Sequence, residues 1–335
     1  MRRGWLIAPL LLCGCGRYAT FTLPPLAGGD PSATYQWQEE SGPVLGPGVN
    51  WESRDVLNPV VLPPIPGHPW LNLYSGFDGK TWRTGLAISA DGLQWQRQGM
   101  VLAPDPKTWE GSYIAANGAA LTDGRQYWYW YQAGPEDEPR IGLARSGDGR
   151  TWRKEAAAVL ETGPRGAWDE RGVADPYVMR IGATFYLFYL GQDRARRQRL
   201  GLARSSDGIH WEKLRANPVL ALGEEGAFDE NGLGEPAVWI ARGFYWMLYT
   251  GRDVHEYRRL GLARSRDGAH WTKLPAVFTG AGSWDSKVVC DPSVIATGSL
   301  VRVWFGGGDV AHPVENIHGQ IGYGTLQPVN ATLAK

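Results

Sequence analysis

The stretch ADPYVMRIGATFYLFYLGQDRARRQRLGLARSSDGIHWEKL, residues 174–214, reads as a succession of short β segments. The first runs from Ala174 to Ile181, the second from Ala183 to Gly191, the third from Arg199 to Ser205 and the fourth from Ile209 to Leu214. Apolar and polar residues alternate within them, and Gly and Asp stand between them, the pattern of antiparallel strands joined as a meander. One such meander cannot bury both of its faces, so it needs neighbours of the same kind.

The chain supplies those neighbours by repeating the unit five times, at a spacing of about 55 to 60 residues. Each copy opens with an aromatic-acidic pair: Trp51-Glu52, Trp109-Glu110, Trp168-Asp169, Phe228-Asp229 and Trp284-Asp285. Six or seven residues after the acid stands Asn58, Asn117, Asp175, Glu235 or Asp291, followed by Pro in four copies and by Gly118 in the other. A five-fold repeat of a strand-rich unit closes into a ring whose equivalent positions converge on one axis. The five residues are therefore expected to face one another, while the outer acids (Glu52, Glu110, Asp169, Asp229, Asp285) read as loop braces.

Between the third and fourth segments lies S-x-D-G-x-x-W, at Ser89–Trp95, Ser146–Trp152, Ser205–Trp211 and Ser265–Trp271. Asp-Gly favours a tight turn because Gly accepts positive φ and Asp bonds its own backbone. The motif resembles the Asp-box of sialidases, one residue short, and its carboxylates read as turn formers. The fifth copy lacks it. Gln36-Trp37-Gln38 with Pro43-Val44-Leu45 supplies the match at the other end of the chain. The expected fold is all-β, a five-bladed β-propeller of four-stranded antiparallel blades over residues 34–327, closed by an N-terminal strand, with a tail at 328–335.

A net charge of zero argues against nucleic acid as a partner. Seventeen Trp and fourteen Tyr are many for this length; most are expected to pack between sheets, and a surplus at a rim would suit sugar rings. Trp109 is the candidate for that role. The opening MRRGWLIAPLLLCGC has two Arg and an apolar run far short of the roughly 20 residues a membrane span needs, so residues 1–14 read as a signal peptide. Leu12-Cys13-Gly14-Cys15 resembles the bacterial lipoprotein box, which implies lipidation of Cys15; cleavage near Gly16 or Ala19 is the alternative. Residues 15–33, rich in Pro and Gly, read as a tether. The expectation is an exported bacterial lipoprotein of the periplasm, outer membrane or cell surface, monomeric and membrane-bound through its lipid alone. Only Cys290 would remain, which excludes a disulfide framework and a thiolate metal site.

In a four-stranded meander the start of the first strand shares a face with the second-to-third loop. Asp175, Glu235 and Asp291 are thus expected on the side of the loops carrying Asp78, Asp193, Asp253 and Asp309, with the Asp-Gly turns opposite. Since Asp175 and Asp291 flank Glu235, like-charge repulsion and partial burial are expected to keep Glu235 protonated, the state of a general acid.

The segments ADPYV with LFYLG, GEPAV with MLYTGRD, and CDPSV with VWFGG resemble the five-bladed β-propeller glycoside hydrolases, such as the family 43 arabinanases and xylosidases and the invertase-like fructan hydrolases. The resemblance covers nearly all of the mature chain and implies an oligosaccharide or polysaccharide as partner. It implies Asp175 as the supporting acid that orients the sugar and Glu235 as the proton donor. Blade one departs from the pattern, because Asn58 stands where the base or nucleophile should be and an amide cannot accept a proton from water at useful strength. Either Asp291 supplies a second carboxylate, about 6.5 to 9.5 Å away if water attacks directly, with Asp55 in reserve, or the site binds sugar without cleaving it. Asn58, Asn117, Asp78, Asp193, Asp253 and Arg252 complete the expected substrate-binding set.

Arg194, Arg196, Arg197 and Arg199 crowd one second-to-third loop, and Arg252, Arg258 and Arg259 the next. They read either as solvated charge or as guanidinium forks for an anionic sugar or phosphate. The latter supports a phosphorylase, in which one carboxylic acid works with bound phosphate and Asn58 is tolerated. The histidines form no ligand cluster, so no metal or other cofactor is expected; the resemblance alone implies a structural cation in the central channel. The leading expectation is a glycoside hydrolase, against a noncatalytic glycan-binding lipoprotein or a glycoside phosphorylase.

Overall fold

The computed structural model describes residues 18–330. The signal segment 1–14, Cys15 and residues 331–335 of the tail lie outside the described residues.

The repeat folds as five antiparallel four-stranded units. The first comprises Asp55–Leu62, Trp70–Phe77, Trp82–Ser89 and Gln96–Leu102. The second comprises Ile114–Thr122, Tyr127–Gly134, Arg140–Ser146 and Arg153–Lys154. The third comprises Gly172–Ile181, Thr184–Gln192, Gln198–Ser205 and Glu212–Leu214, close to the segments read from the sequence. The fourth comprises Gly232–Ala241, Phe244–Arg252, Arg258–Ser265 and Trp271–Phe278. The fifth joins Val288–Thr297, Leu300–Gly308 and Gln320–Asn330 to Ala33–Glu39 from the start of the chain. Trp37 pairs with Leu326 and Gln38 with Thr325, and Leu45 bridges Ile321, so the N-terminal segment completes the last unit. First strands contact one another in order and the fifth returns to the first, which makes the fold a closed β-propeller without a free inner edge.

Apolar residues fill the gaps between neighbouring units. Trp130 of unit two packs with Val178 and Leu187 of unit three and meets Trp211, at 6.3 Å between ring centroids. Trp304 of unit five packs with Val56 and Tyr74 of unit one and donates its indole N–H to Gly92 O at 2.7 Å. The Asp-Gly turns do what their chemistry predicts. Asp91 Oδ1 accepts the N–H of Leu93 at 2.8 Å and of Gln94 at 2.9 Å, and Gly92 has φ +80°. Those N–H donors hold the Asp91 carboxyl down at about 2.

The segment expected to be a tether is a strap from Tyr18 onward. Tyr18–Ala19 pairs in parallel with Glu212–Leu214, Leu23 is fully buried, and Leu23 and Leu26 donate their N–H groups to Asp267 O and Arg266 O. Proline and glycine signalled a lack of regular structure there, but Phe21 and Leu23 have apolar area to bury, and units three and four provide the surface.

The outer acids are braces, with partners that their sequence pairs did not reveal. Glu110 accepts from Tyr131 Oη at 2.5 Å and Lys154 Nζ at 2.5 Å; Asp169 accepts from Tyr189 Oη at 3.2 Å and Lys213 Nζ at 2.6 Å. Asp229 accepts from Tyr249 Oη at 3.1 Å and Lys273 Nζ at 2.5 Å, and Glu52 from Tyr74 Oη at 2.7 Å, with Arg97 at 3.2 Å. Each brace ties the entry loop of a unit to its second and fourth strands. The neglected signal is W-x-K, at Trp152, Trp211 and Trp271, with Arg97 as the variant.

Candidate active site

The first strand of each unit carries a β-bulge at one place, and at that bulge Asn58, Asn117, Asp175, Glu235 and Asp291 all adopt left-handed backbone, with φ of +49°, +55°, +46°, +48° and +53°. Non-glycine residues reach this conformation only when their surroundings hold them there. The bulge re-aims each side chain out of the strand alternation and toward the axis. Five side chains that the repeat made equivalent thereby form the floor of a cavity.

A relay of hydrogen bonds holds them. Glu235 N–H donates to Asp175 Oδ2, Asp291 N–H to Glu235 Oε2 and Asn58 N–H to Asp291 Oδ2, each at 3.3 Å. Each acid thus accepts from the backbone of the following unit. The relay changes where the ring carries amides: Asn117 N–H turns to Ser75 Oγ at 3.0 Å, and Asn117 Nδ2 donates to Asp175 Oδ1 at 2.7 Å. Gly306 is required beside this floor, because a Cβ there would meet Asp291 Oδ2 at 2.7 Å.

Asp175 and Asp291 are 8% and 6% exposed, while Glu235 is only partly buried. Burial first, and the Glu235 charge second, push the Asp175 carboxyl up to about 8 and that of Asp291 well above the usual carboxylate range. Both flanking acids are therefore held neutral near pH 7. For Asp291 this direction weighs against a base role, since a neutral carboxyl cannot take a proton from water. One ligand atom each of Glu235, Cys290 and Asp291 lies within 4.8 Å of the others, a donor set for a small cation. The fully buried guanidinium of Arg258 faces the same group and already supplies positive charge there.

Above the floor opens a cavity of about 640 Å³, within the range of small-molecule sites. Its walls include Trp82, Tyr113, Gln132, Gln192, Arg196, Gln198, Arg252 and Arg258. Below the floor, a narrower channel of about 210 Å³ is lined by Val60, Ala119, Tyr177, Val178 and Ile295. The loop between the second and third strands of unit five leans over the Asn58 side. Arg258 Nη2 donates to the carbonyls of His312 and Pro313 at 3.0 and 2.7 Å, and Glu315 Oε2 accepts from Tyr113 Oη at 2.7 Å and Trp82 Nε1 at 3.2 Å. Asp55, the reserve base, is fully buried and accepts Asn316 N–H at 2.6 Å and Gly319 N–H at 2.7 Å. It anchors this loop instead of reaching the cavity.

Of the expected residues, the structure brings Asn58, Asn117, Asp175, Glu235, Asp291 and Arg252 together in the cavity lining. It places the others elsewhere. Asp78 accepts Lys80 and Thr81 N–H groups and pairs with Arg83 at 2.7 Å; Asp253 accepts His255 and Tyr257 N–H groups. Asp193 is bound by Arg197 and Arg199, at 2.9 and 2.8 Å. These loops fold on their own aspartates, so the carboxylates point back into the turns. Trp109 packs with the apolar cluster of units one and two. Ser75, Gln132 and Thr250 were missed, although a signal exists: each follows a brace tyrosine, at Tyr74, Tyr131 and Tyr249.

Residues 70–216 and 178–289 match the glycosyl hydrolases family 32 N-terminal domain. The uncharacterized protein Rv1502 of Mycobacterium tuberculosis (strain ATCC 25618 / H37Rv) is 26% identical over 230 residues, covering 64% of this chain and 75% of that protein. Among solved structures, one named "Glycoside hydrolase" is 19% identical with a TM-score of 0.70, over 89% of this chain and 94% of its own. Another, titled "The GH130 family of mannoside phosphorylases contains glycoside hydrolases that target beta-1,2 mannosidic linkages in Candida mannan", is 18% identical with a TM-score of 0.68, over 92% and 96%. The two structural likenesses concern the fold.

Proposed function

The chain belongs to the family of the glycosyl hydrolases family 32 N-terminal domain, and on that premise we propose that it cleaves a glycosidic bond of an oligosaccharide or polysaccharide in the axial cavity. Glu235 is the proton-transfer carboxyl. The observation that carries this role is its place in the ring: it is the one partly exposed acid on the cavity floor, with one oxygen accepting Asp291 N–H, between two buried acids that are held neutral. Asp175 supports it, accepting Glu235 N–H and Asn117 Nδ2, so that a change in either neighbour shifts the position of the donor. Asn58 and Asn117 offer amide groups for sugar hydroxyls, and Trp82 and Tyr113 offer aromatic edges along the wall.

A second reading follows from the arginines. With Asp291 biased toward its neutral form and Asn58 an amide, the floor is poorly supplied with a second carboxylate to activate water. Arg196, Arg252 and Arg258 line the cavity, and the buried Arg252 Nε has no hydrogen-bond partner among the described residues. A phosphate held by these arginines would attack the anomeric carbon as Glu235 protonates the leaving oxygen, which is phosphorolysis. A screen of glycans and aryl glycosides with and without phosphate tests both readings. Release of free sugar without phosphate supports hydrolysis, and sugar phosphate formed only with phosphate supports phosphorolysis. Sugar binding without turnover in either arm defeats the enzyme and leaves a glycan-binding protein. The same reading places the protein outside the cytoplasm as a lipoprotein carried on Cys15, which metabolic labelling with palmitate would test on Cys15→Ser.

A further inference from the structure

Four of the five outer braces carry their own cation: Arg97, Lys154, Lys213 or Lys273 faces the acid of its unit. The fifth brace departs at both partner positions. Where the others place Tyr on the second strand it has Phe305, and where they place Lys or Arg two residues after the outer-strand Trp it has Glu39, in Trp37-Gln38-Glu39. Glu39 therefore comes to stand beside Asp285, the two carboxyls taking the N–H groups of consecutive loop residues, Ala281 and Gly282. Among the described residues no ion pair reaches either one.

One oxygen of each acid is engaged by the backbone: Ala281 N–H donates to Glu39 Oε2 at 3.1 Å and Gly282 N–H to Asp285 Oδ1 at 2.9 Å. The remaining oxygens face each other, with the Trp37 indole beside Glu39. Asp285 is 0% exposed, and its Oδ2 is buried with no hydrogen-bond partner. An ionised oxygen in that position is costly unless a positive charge meets it. Burial and the Asp285 carboxyl push Glu39 up to about 8, as expected of two acids with only a proton to hold them together.

We propose that the Glu39–Asp285 pair binds a hard, oxygen-seeking cation of the calcium or magnesium class in the place where the other four braces hold a lysine or arginine. Glu39 Oε1 and Asp285 Oδ2 are its protein ligands, and the partial exposure of Glu39 lets water complete the shell. The cation would tie the closing strand Ala33–Glu39 to the loop that opens unit five, so its binding stabilises ring closure. The proposal is independent of any catalytic role for the axial acids.

The test is thermal unfolding of the chelator-treated full protein at pH 8.5, titrated with calcium chloride or magnesium chloride against sodium chloride of equal ionic strength. Calcium or magnesium should raise the wild-type Tm by on the order of 2 °C beyond sodium. Glu39→Lys, which restores the pattern of the other units, should raise Tm without divalent ions and abolish the response. Asp285→Asn keeps the Gly282 contact and should also abolish it, which covers the case in which Glu39→Lys does not fold. A response that persists in the variants places the ion elsewhere, such as the axial Glu235–Cys290–Asp291 group, and overturns the proposal. So does a wild-type Tm that falls as pH rises through about 8 yet ignores both divalent ions, because the pair then holds only a proton.

Discussion

The same repeat builds two rings of acids, and their difference separates structure from chemistry. The outer acids sit on the entry loops, where four of the five accept from a tyrosine and a lysine, or an arginine, of their own unit. The inner acids sit on strained bulges and accept from the backbone of the next unit; Arg258 lies near them, but among the described residues none of them forms an ion pair of its own. A buried carboxylate with its own cation is satisfied and inert, whereas one without must stay neutral, titrate or recruit a partner. Chemistry is to be sought where the repeat leaves charge unmatched.

The sharpest way to test this contrast is to remove one acid function from the inner ring without changing its shape. Glu235→Gln should lower turnover of a substrate with a poor leaving group by about 10² to 10⁴-fold while leaving Tm and sugar binding nearly unchanged. Full activity in this variant on an unactivated glycoside would defeat the assignment. The outer ring should respond in the opposite sense. Lys213→Met leaves Asp169, 0% exposed, without its cation, and should cost about 3 to 5 kcal/mol in urea unfolding with little loss of activity per folded molecule. A loss of turnover that exceeds the loss of folded protein would dissolve the division between the rings.

A pH profile probes the inner ring more gently. With Asp175 pushed up to about 8 and its neutral form taken as the active one, raising the pH through that value removes the proton it holds beside Glu235, so kcat/KM should fall about tenfold per unit above it. In Asp175→Asn that alkaline limb should disappear; an unchanged limb would assign it to another group. The smallest effect is expected outside both rings. Asp78→Asn breaks a partly exposed pair with Arg83 and should cost less than about 1 kcal/mol, with KM unaltered. A raised KM would return Asp78 to the site.

Much of this was legible because a repeat compares a sequence with itself. The axial positions from Asn58 to Asp291 stand six or seven residues after an aromatic-acidic pair, and five-fold closure makes equivalent positions into neighbours in space. The Asp-Gly turns and the closing strand at Trp37 were legible for the same reason. Asp193 and Asp253 were misplaced because topology assigns a loop to a face but not a side chain to a direction, and both loops fold back on their own carboxylates. The strap at Leu23 was misread because Pro and Gly report missing regular structure and say nothing of packing.

By itself, the sequence determined the all-β propeller, its closure and which five residues share the axis, since these follow from the period of the chain and from local turn chemistry. Only the tertiary structure decided which acids are matched by cations and which are not. That depends on contacts between an entry loop and strands 20 to 45 residues further along the same unit, as between Asp169 and Lys213, and on neighbours in the next unit, as between Asp175 and Glu235. Burial, the other determinant of charge state, likewise arises only once the ring is closed, because Asp175 and Asp291 are shielded from water by units that lie far from them in sequence.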